Sequence, residues 1–262
     1  MVRVDKTKCN RCYACIAQCS YNFILQKDDK GFPKSRIDFS DHCIDCFHCV
    51  AICRERALFH SKSPSEDCLP IHETLFIQPE HACQFLKSRR SLRTFVNRPI
   101  PRETIAELID VTRWSPTARN LQPVEWLVIE SPERVQKMAE LVINWLKEEG
   151  IEHNVTSAWD KGLDMVLRGA PHLVVAHSNV NRFWGAAESA TALSYLELAA
   201  HAHNIGSCWA GYFTKAATVY TPLRDLLGIP ETNEVFGAVM LGYTKYSFSR
   251  IPNRKKLEVK WM

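Results

Sequence analysis

Eight of the eleven cysteines fall between Cys9 and Cys53, in two arrays of one spacing. Cys9, Cys12, Cys15 and Cys19 form the first; Cys43, Cys46, Cys49 and Cys53 repeat it 34 residues on. Thiolates at i, i+3 and i+6 can wrap one face of a cuboidal [4Fe–4S] cluster on an irregular turn. The fourth cysteine opens the following helix and points toward the other cluster, so ligation crosses between the halves. The spacing therefore predicts two clusters, one on Cys9, Cys12, Cys15 and Cys53, the other on Cys43, Cys46, Cys49 and Cys19. Zinc, which takes its thiolates in two pairs, would leave Cys15 and Cys49 without a role. Crowding of this kind in a reducing compartment argues for metal rather than disulfides. His42 and His48, inside the second array, read as surface groups or outer neighbours of the cluster.

Clusters of this type pass single electrons and do no bond chemistry themselves, so residues 80–262 must receive or supply the electrons. The chain contains no Gly-x-Gly, which excludes a dinucleotide fingerprint, and it lacks a Walker loop. A phosphate-bearing cofactor would have to be held by side chains. The run Lys87 to Phe95 offers three arginines and two serines, and guanidinium groups take phosphate bidentately. Alone, such a run is a solvated basic face as readily as a ligand site. About 20 residues later, Trp114-Ser-Pro-Thr-Ala-Arg-Asn-Leu-Gln-Pro123 places Asn120 and Gln122 on a polar loop. Their amides present both donor and acceptor, which suits the carbonyl and imide edge of a flavin ring. Near the end, Leu241-Gly-Tyr243 leads to a second cationic group at Arg250 to Lys256.

Residues 3–60 resemble the bacterial two-cluster ferredoxins; the proline that usually follows the fourth cysteine is replaced by Ser20 and Arg54. Arg-Arg-Ser-x-Arg-x-Phe, Ser-Pro-Thr-x-x-Asn-x-Gln-Pro, Leu-Gly-Tyr and Ile-Pro-x-Arg-Lys occur in this order over residues 86–258. Together they resemble the FMN-dependent nitroreductase family. That resemblance implies an α+β FMN-binding fold and an intertwined homodimer with two flavins at its interface. By position, Arg89, Arg90, Ser91 and Arg93 would hold the phosphate, ribityl chain and pyrimidine edge. Thr117, Asn120 and Gln122 would approach the ring, and Arg254, with Lys255 as alternative, would complete the phosphate site. The stretch Ile205 to Tyr212 matches the family segment over the reactive face, with the amide of Gly211, and that of Ala210 beside it, near flavin N5. Family members often carry an acidic residue where this chain has Ala210. The chemistry is then largely the flavin's, and no side chain stands out as an obligatory acid or base.

These groups need elements to position them. Residues 1–60 hold too few apolar side chains to fold on packing alone, and small domains of that kind commonly need metal. Ser61 to Pro70 is polar and broken by two prolines, so 61–85 reads as a linker between a cluster domain (1–60) and a flavin domain (86–262). A helix is expected after Pro101, with Ile105, Leu108, Ile109 and Thr112 on one face. Strands are expected at 125–130, 173–176 and 235–241, a helix capped by Ser131, and a long helix over 185–204. Cys208 reads as a small buried hydrophobe and Cys68 as exposed. His172, His177, His201 and His203 read as packing or surface groups, and Trp184 and Trp209 as core or pocket lining.

The 262 residues are 46% hydrophobic and 24% charged, an ordinary globular composition. Residues 1–60 carry ten basic and seven acidic side chains; bound thiolate and iron would offset that excess, so the charge gives no nucleic-acid signal. No apolar run approaches the roughly 18 residues that span a bilayer, and the N-terminus lacks a signal peptide's apolar stretch. A cytoplasmic protein is expected. The function expected is an oxidoreductase in which two [4Fe–4S] clusters exchange electrons with FMN to reduce a small electron-poor organic compound: a nitro compound, a quinone or an activated alkene. NAD(P)H as co-substrate and a separate ferredoxin as donor are equally compatible, as is reversed flow from an organic donor to the clusters. The alternative is an electron-transfer or redox-sensing module without a substrate of its own, which a closed pocket over the flavin would favour.

Overall fold

The computed structural model describes residues 2–21, 25–36, 41–63 and 67–262. Contacts divide the chain into two compact units, 1–76 with 119–121, and 77–118 with 122–262.

In the first unit β1 (Val2–Val4) pairs antiparallel with β4 (Leu58–His60), and β2 (Leu25–Lys27) with β3 (Pro33–Ser35). Single-turn helices α1 (Ala14–Ala17) and α2 (His48–Ala51) carry Cys15 and Cys49, so Cys19 and Cys53 follow these helices instead of opening one as expected. The repeated spacing has a backbone counterpart. Arg11 and Tyr13 lie in the left-handed region at φ 60° and 62°, and Asp45 and Phe47, 34 residues on, at 49° and 57°. Left-handed residues between cysteines coil the chain tightly enough to turn successive side chains inward. For non-glycine residues this costs roughly 1–2 kcal/mol each. The local core, chiefly Leu25, Phe32, Val50, Ala57 and Leu58, is small for that burden.

The second unit is built on one sheet in the order β5 (Glu125–Ile129), β6 (His172–Asn179), β8 (Asn233–Gly242), β7 (Gly206–Trp209), with every pair antiparallel. The central strands β6 and β8 contain uninterrupted apolar runs because both their faces are covered. Leu173 and Val175 of β6 pack with α5 (Pro132–Glu148), α6 (His153–Asp160), α8 (Gly211–Val219) and α9 (Thr221–Leu227). Val174 and Ala176 face the opposite layer of α4 (Arg102–Asp110) and α7 (Gly185–Ala202). Helix α7 approaches β8 closely because position 237 is glycine: a Cβ there would lie 2.4 Å from Leu193 Cδ1.

Helix boundaries follow local chemistry. Ser131 Oγ accepts from the Arg134 amide at 3.3 Å, and Pro132 occupies the first turn of α5. Ile105, Leu108 and Thr112 are buried, with Ile109 packed against them. Helix α3 (Pro79–Ser88) begins inside the stretch read from sequence as linker. Proline at its first turn sacrifices no helical bond, and the polar, proline-broken residues before it had masked the helical repeat behind them. No α3 residue is fully buried. Among the described residues, no helix is long and apolar enough to cross a membrane.

Candidate functional site

Cys9, Cys12, Cys15 and Cys53 line one cavity of about 470 Å³. Cys19, Cys43, Cys46 and Cys49 line a second, tighter one of about 30 Å³. Each cavity thus gathers three cysteines of one array and the fourth of the other. All are free thiols. Burial, helped by neighbouring cysteines, pushes the Cys15 thiol up to about 11 and the Cys49 thiol up to about 12. Four convergent thiols per cavity suit a soft metal centre, whose binding would displace those protons. The Ala57 amide donates to Cys53 Sγ at 3.3 Å, and His60 Nε2 lies 3.8 Å from Cys43 Sγ. His42 shares the array, while the buried His60, 17 residues beyond Cys43, had no sequence signal.

In the second unit, residues 91 and 92 pair with the open edge of β7, and residues 94–96 pair with 243–245 just after β8. Ser91 bridges Ser207 in parallel, the Leu92 amide donates to the Ser207 carbonyl at 2.9 Å, and the Val96 amide to Tyr243 at 2.9 Å. This pairing fixes the arginine run beside the sheet. Arg89 Nη1 donates to Glu197 Oε1 at 3.2 Å, and Ser207 Oγ donates to the same oxygen at 2.9 Å. Arg90 Nε is buried without a partner, and Arg93 is exposed. A buried guanidinium nitrogen lacking an acceptor fits an anion such as a phosphate. Burial raises the Cys208 thiol, partly offset by Arg93 and Arg168.

Thr117 and Gln122 join in one turn, the Gln122 amide donating to Thr117 Oγ1 at 3.0 Å. Both line a cleft of about 580 Å³ with Ile109, Thr112, Val124 and Trp126. Its loop is tied to α7: the Ala118 amide donates to Glu188 Oε1 at 2.8 Å, and Arg182 binds both oxygens of that buried carboxylate. The Arg182 guanidinium holds the Glu188 carboxyl below the usual carboxylate range. Asn120 groups with the first unit, where its Nδ2 donates to the Asp45 carbonyl at 3.1 Å.

The Ala210 amide donates to the Ala238 carbonyl at 2.9 Å, so Gly211, first residue of α8, is the position with a free N–H. A Cβ built on Gly211 meets nothing within 4 Å. Arg254 and Lys255 lie in the exposed stretch after Arg250, with no hydrogen bond or ion pair to residues 89–93. Sequence reasoning missed Glu188 and Glu197. Their one signal is phase: both fall in step with the buried Ser189, Ala192, Leu193, Leu196 and Ala200 of α7.

Residues 86–243 match the profile of the Nitroreductase family, and residues 1–54 that of the 4Fe-4S dicluster domain. A protein of Archaeoglobus fulgidus named "Putative NADH dehydrogenase/NAD(P)H nitroreductase" is 29% identical over 170 residues, covering 63% of this chain and 87% of its own. The structure resembles an FMN-bound nitroreductase of Bacteroides fragilis, with TM-score 0.56 and 20% identity over 67% of this chain and 94% of that one. It also resembles one from Desulfitobacterium hafniense, with TM-score 0.57 and 20% identity over 68% and 97%. The paired antiparallel sheet, the arginine run along its edge and the match over residues 86–243 converge: the chain belongs to the nitroreductase family and carries a dicluster-type cysteine segment ahead of it.

Proposed function

We propose that this protein is an FMN-dependent oxidoreductase in which two [4Fe–4S] clusters exchange electrons with the flavin to reduce a small electron-poor organic compound. A nitro compound, quinone or activated alkene has the required electrophilicity. The observation that carries the reading is the sorting of eight cysteines into two cavities within a nitroreductase-family chain. The groups supply complementary chemistry when bound: one-electron steps at iron–sulfur, paired-electron steps at flavin.

The chain's own residues hold and orient. Cys9, Cys12, Cys15 and Cys53 would bind one cluster, and Cys19, Cys43, Cys46 and Cys49 the other. Arg90, with its unpartnered Nε, and Arg89, steadied by Glu197, would take the phosphate together with Ser91 and Arg93, and Arg254 or Lys255 would complete that site. Thr117, Asn120 and Gln122 would approach the ring. The open space over Gly211 leaves room for a planar ligand, and the free Gly211 N–H would donate to it, favouring a reduced, electron-rich ring. Ala210, its amide already used, contributes shape alone.

The organisation we propose is a cluster domain (1–60), a linker (61–85) and a flavin domain (86–262), acting as a cytoplasmic homodimer. Covalent attachment of the clusters raises their effective concentration at the flavin. NAD(P)H or a reduced ferredoxin would be the electron source. Anaerobic titration with NADH, NADPH and reduced ferredoxin, followed by visible absorbance and EPR, tests the reading. About eight irons and one FMN per chain are expected; zinc in place of iron would sink it.

A further inference from the structure

The duplicated halves differ in the residue that ends the strand beside each array. Strands β2 and β4 each begin with a buried leucine, Leu25 and Leu58. Two residues on, β2 has Lys27, exposed, its Nζ 3.8 Å from the centroid of the Tyr13 ring. At the matching place β4 has His60, 5% exposed, edge-on to Phe47 with centroids 5.0 Å apart. Tyr13 and Phe47 are themselves equivalent, each following the second cysteine of its array.

The imidazole's surroundings fix which nitrogen carries the proton. The Lys62 amide donates to His60 Nδ1 at 3.2 Å, so that nitrogen is the acceptor and Nε2 bears the hydrogen. Nε2 lies 3.8 Å from Cys43 Sγ and 3.4 Å from Asp45 Oδ1. The Asp45 carboxylate is itself paired, through Oδ2, with Lys62 Nζ at 2.6 Å. A cysteine sulfur bound to iron can accept but not donate, leaving it as a target for the Nε2–H. The set of Cys9, Cys12, Cys15 and Cys53 receives, among the described residues, no side-chain donor; backbone amides alone reach it, that of Ala57 on Cys53 and that of Ile16 on Cys15. The other set has a further polar neighbour, Ser20 Oγ, 3.9 Å from Cys46 Sγ.

A donor on a ligating sulfur disperses negative charge and favours the reduced cluster. We infer that His60, through its Nε2–H on Cys43, makes the cluster held by Cys19, Cys43, Cys46 and Cys49 the more easily reduced of the two, so that the first electron entering the pair rests there. The step adds one electron to the cluster; no bond breaks and the proton stays on Nε2. This inference rests on the two-cluster reading above.

The test is an EPR-monitored potentiometric titration of the iron-loaded full-length protein and of its His60→Leu and His60→Gln variants. Two reduction steps are expected in the parent protein. In His60→Leu the more positive step moves to lower potential while the other stays, and in His60→Gln, which keeps an N–H donor, it falls between. Unchanged steps in an eight-iron His60→Leu protein, or equal movement of both, overturn the inference. If His60→Leu loses iron, protein carrying ¹⁵N-histidine answers instead. The signal of the first-reduced cluster should then show a nitrogen coupling that His60→Gln abolishes, and its absence overturns the assignment. Failure of the functional reading is recognised separately, by metal analysis that finds no eight irons in the parent protein.

Discussion

The indole Nε1 of Trp209 donates at 3.0 Å to Oε2 of Glu197, a carboxylate 6% exposed within helix α7. The other oxygen serves Ser207 Oγ and Arg89 Nη1. One buried anion therefore ties β7, the helix and the first arginine of the cationic run.

Glu197→Ala leaves the buried Ser207 hydroxyl and two further donors without their acceptor. The loss expected is about 1–3 kcal/mol of stability, read from urea unfolding without flavin. Arg89 also loses its tether, so FMN affinity should fall about tenfold, or ~1.4 kcal/mol, in a fluorescence-quenching titration. An unchanged affinity beside a lowered stability would confine Glu197 to the fold.

Arg182 and Glu188 should give the second unit an acid limit. The carboxyl is held below its unfolded value, chiefly by Arg182 and opposed by burial. Its stabilisation is therefore present above the unfolded pKa of about 4.3 and is lost as pH falls through the lower folded value. Glu188→Gln should flatten that part of the stability–pH curve. Arg182→Ala, which strands a buried charge, should cost about 3–5 kcal/mol at neutral pH. Chemical unfolding at stepped pH checks both, and parallel curves for parent and Glu188→Gln would contradict the assignment.

Much of this architecture was legible because period and punctuation agreed. Ser131 and Pro132 announced α5, the Pro101 stop preceded α4, and the apolar runs of β6 and β8 marked strands buried on both faces. Helix α3 was hidden by the polar residues in front of it. The short strand β7 was hidden too, since Gly-Ser-Cys-Trp has no alternation to read and exists through its two neighbours. The cysteine spacing told which residues could share a centre. It could not tell which side chains approach them, because His60 reaches Cys43 through the β1–β4 pairing rather than through sequence proximity. Glu188 and Glu197 escaped notice because charged residues in an apolar stripe look like interruptions until their partners are seen.

The proposed crossing of ligands between halves is separable by substitution. Cys53→Ser should damage the same centre as Cys15→Ser, although Cys53 belongs to the array of Cys49. Cys19→Ser should likewise pair with Cys49→Ser. Each single variant is expected to lose up to about four irons, and Cys15→Ser with Cys53→Ser no more than either alone. Iron analysis with EPR distinguishes the patterns, and a double variant Cys49→Ser with Cys53→Ser that keeps half the iron would argue against crossing.

Gly211 and Gly237 should respond oppositely to added bulk. At Gly237 a Cβ would sit 2.4 Å from Leu193 Cδ1 and 3.0 Å from the Trp209 ring, so Gly237→Ala overpacks the α7–β8 contact. A loss of about 1–3 kcal/mol is expected, visible as a lower Tm with or without flavin. At Gly211 the space is open, and Gly211→Val should leave the flavin-free stability within about 0.5 kcal/mol of the parent. If that space belongs to the flavin ring, the same variant should weaken FMN binding tenfold or more, because the isopropyl group then competes with the ring for the place above the α8 N-terminus. FMN binding at parental strength in Gly211→Val would move the ring away from α8 and take the proposed N–H donor with it.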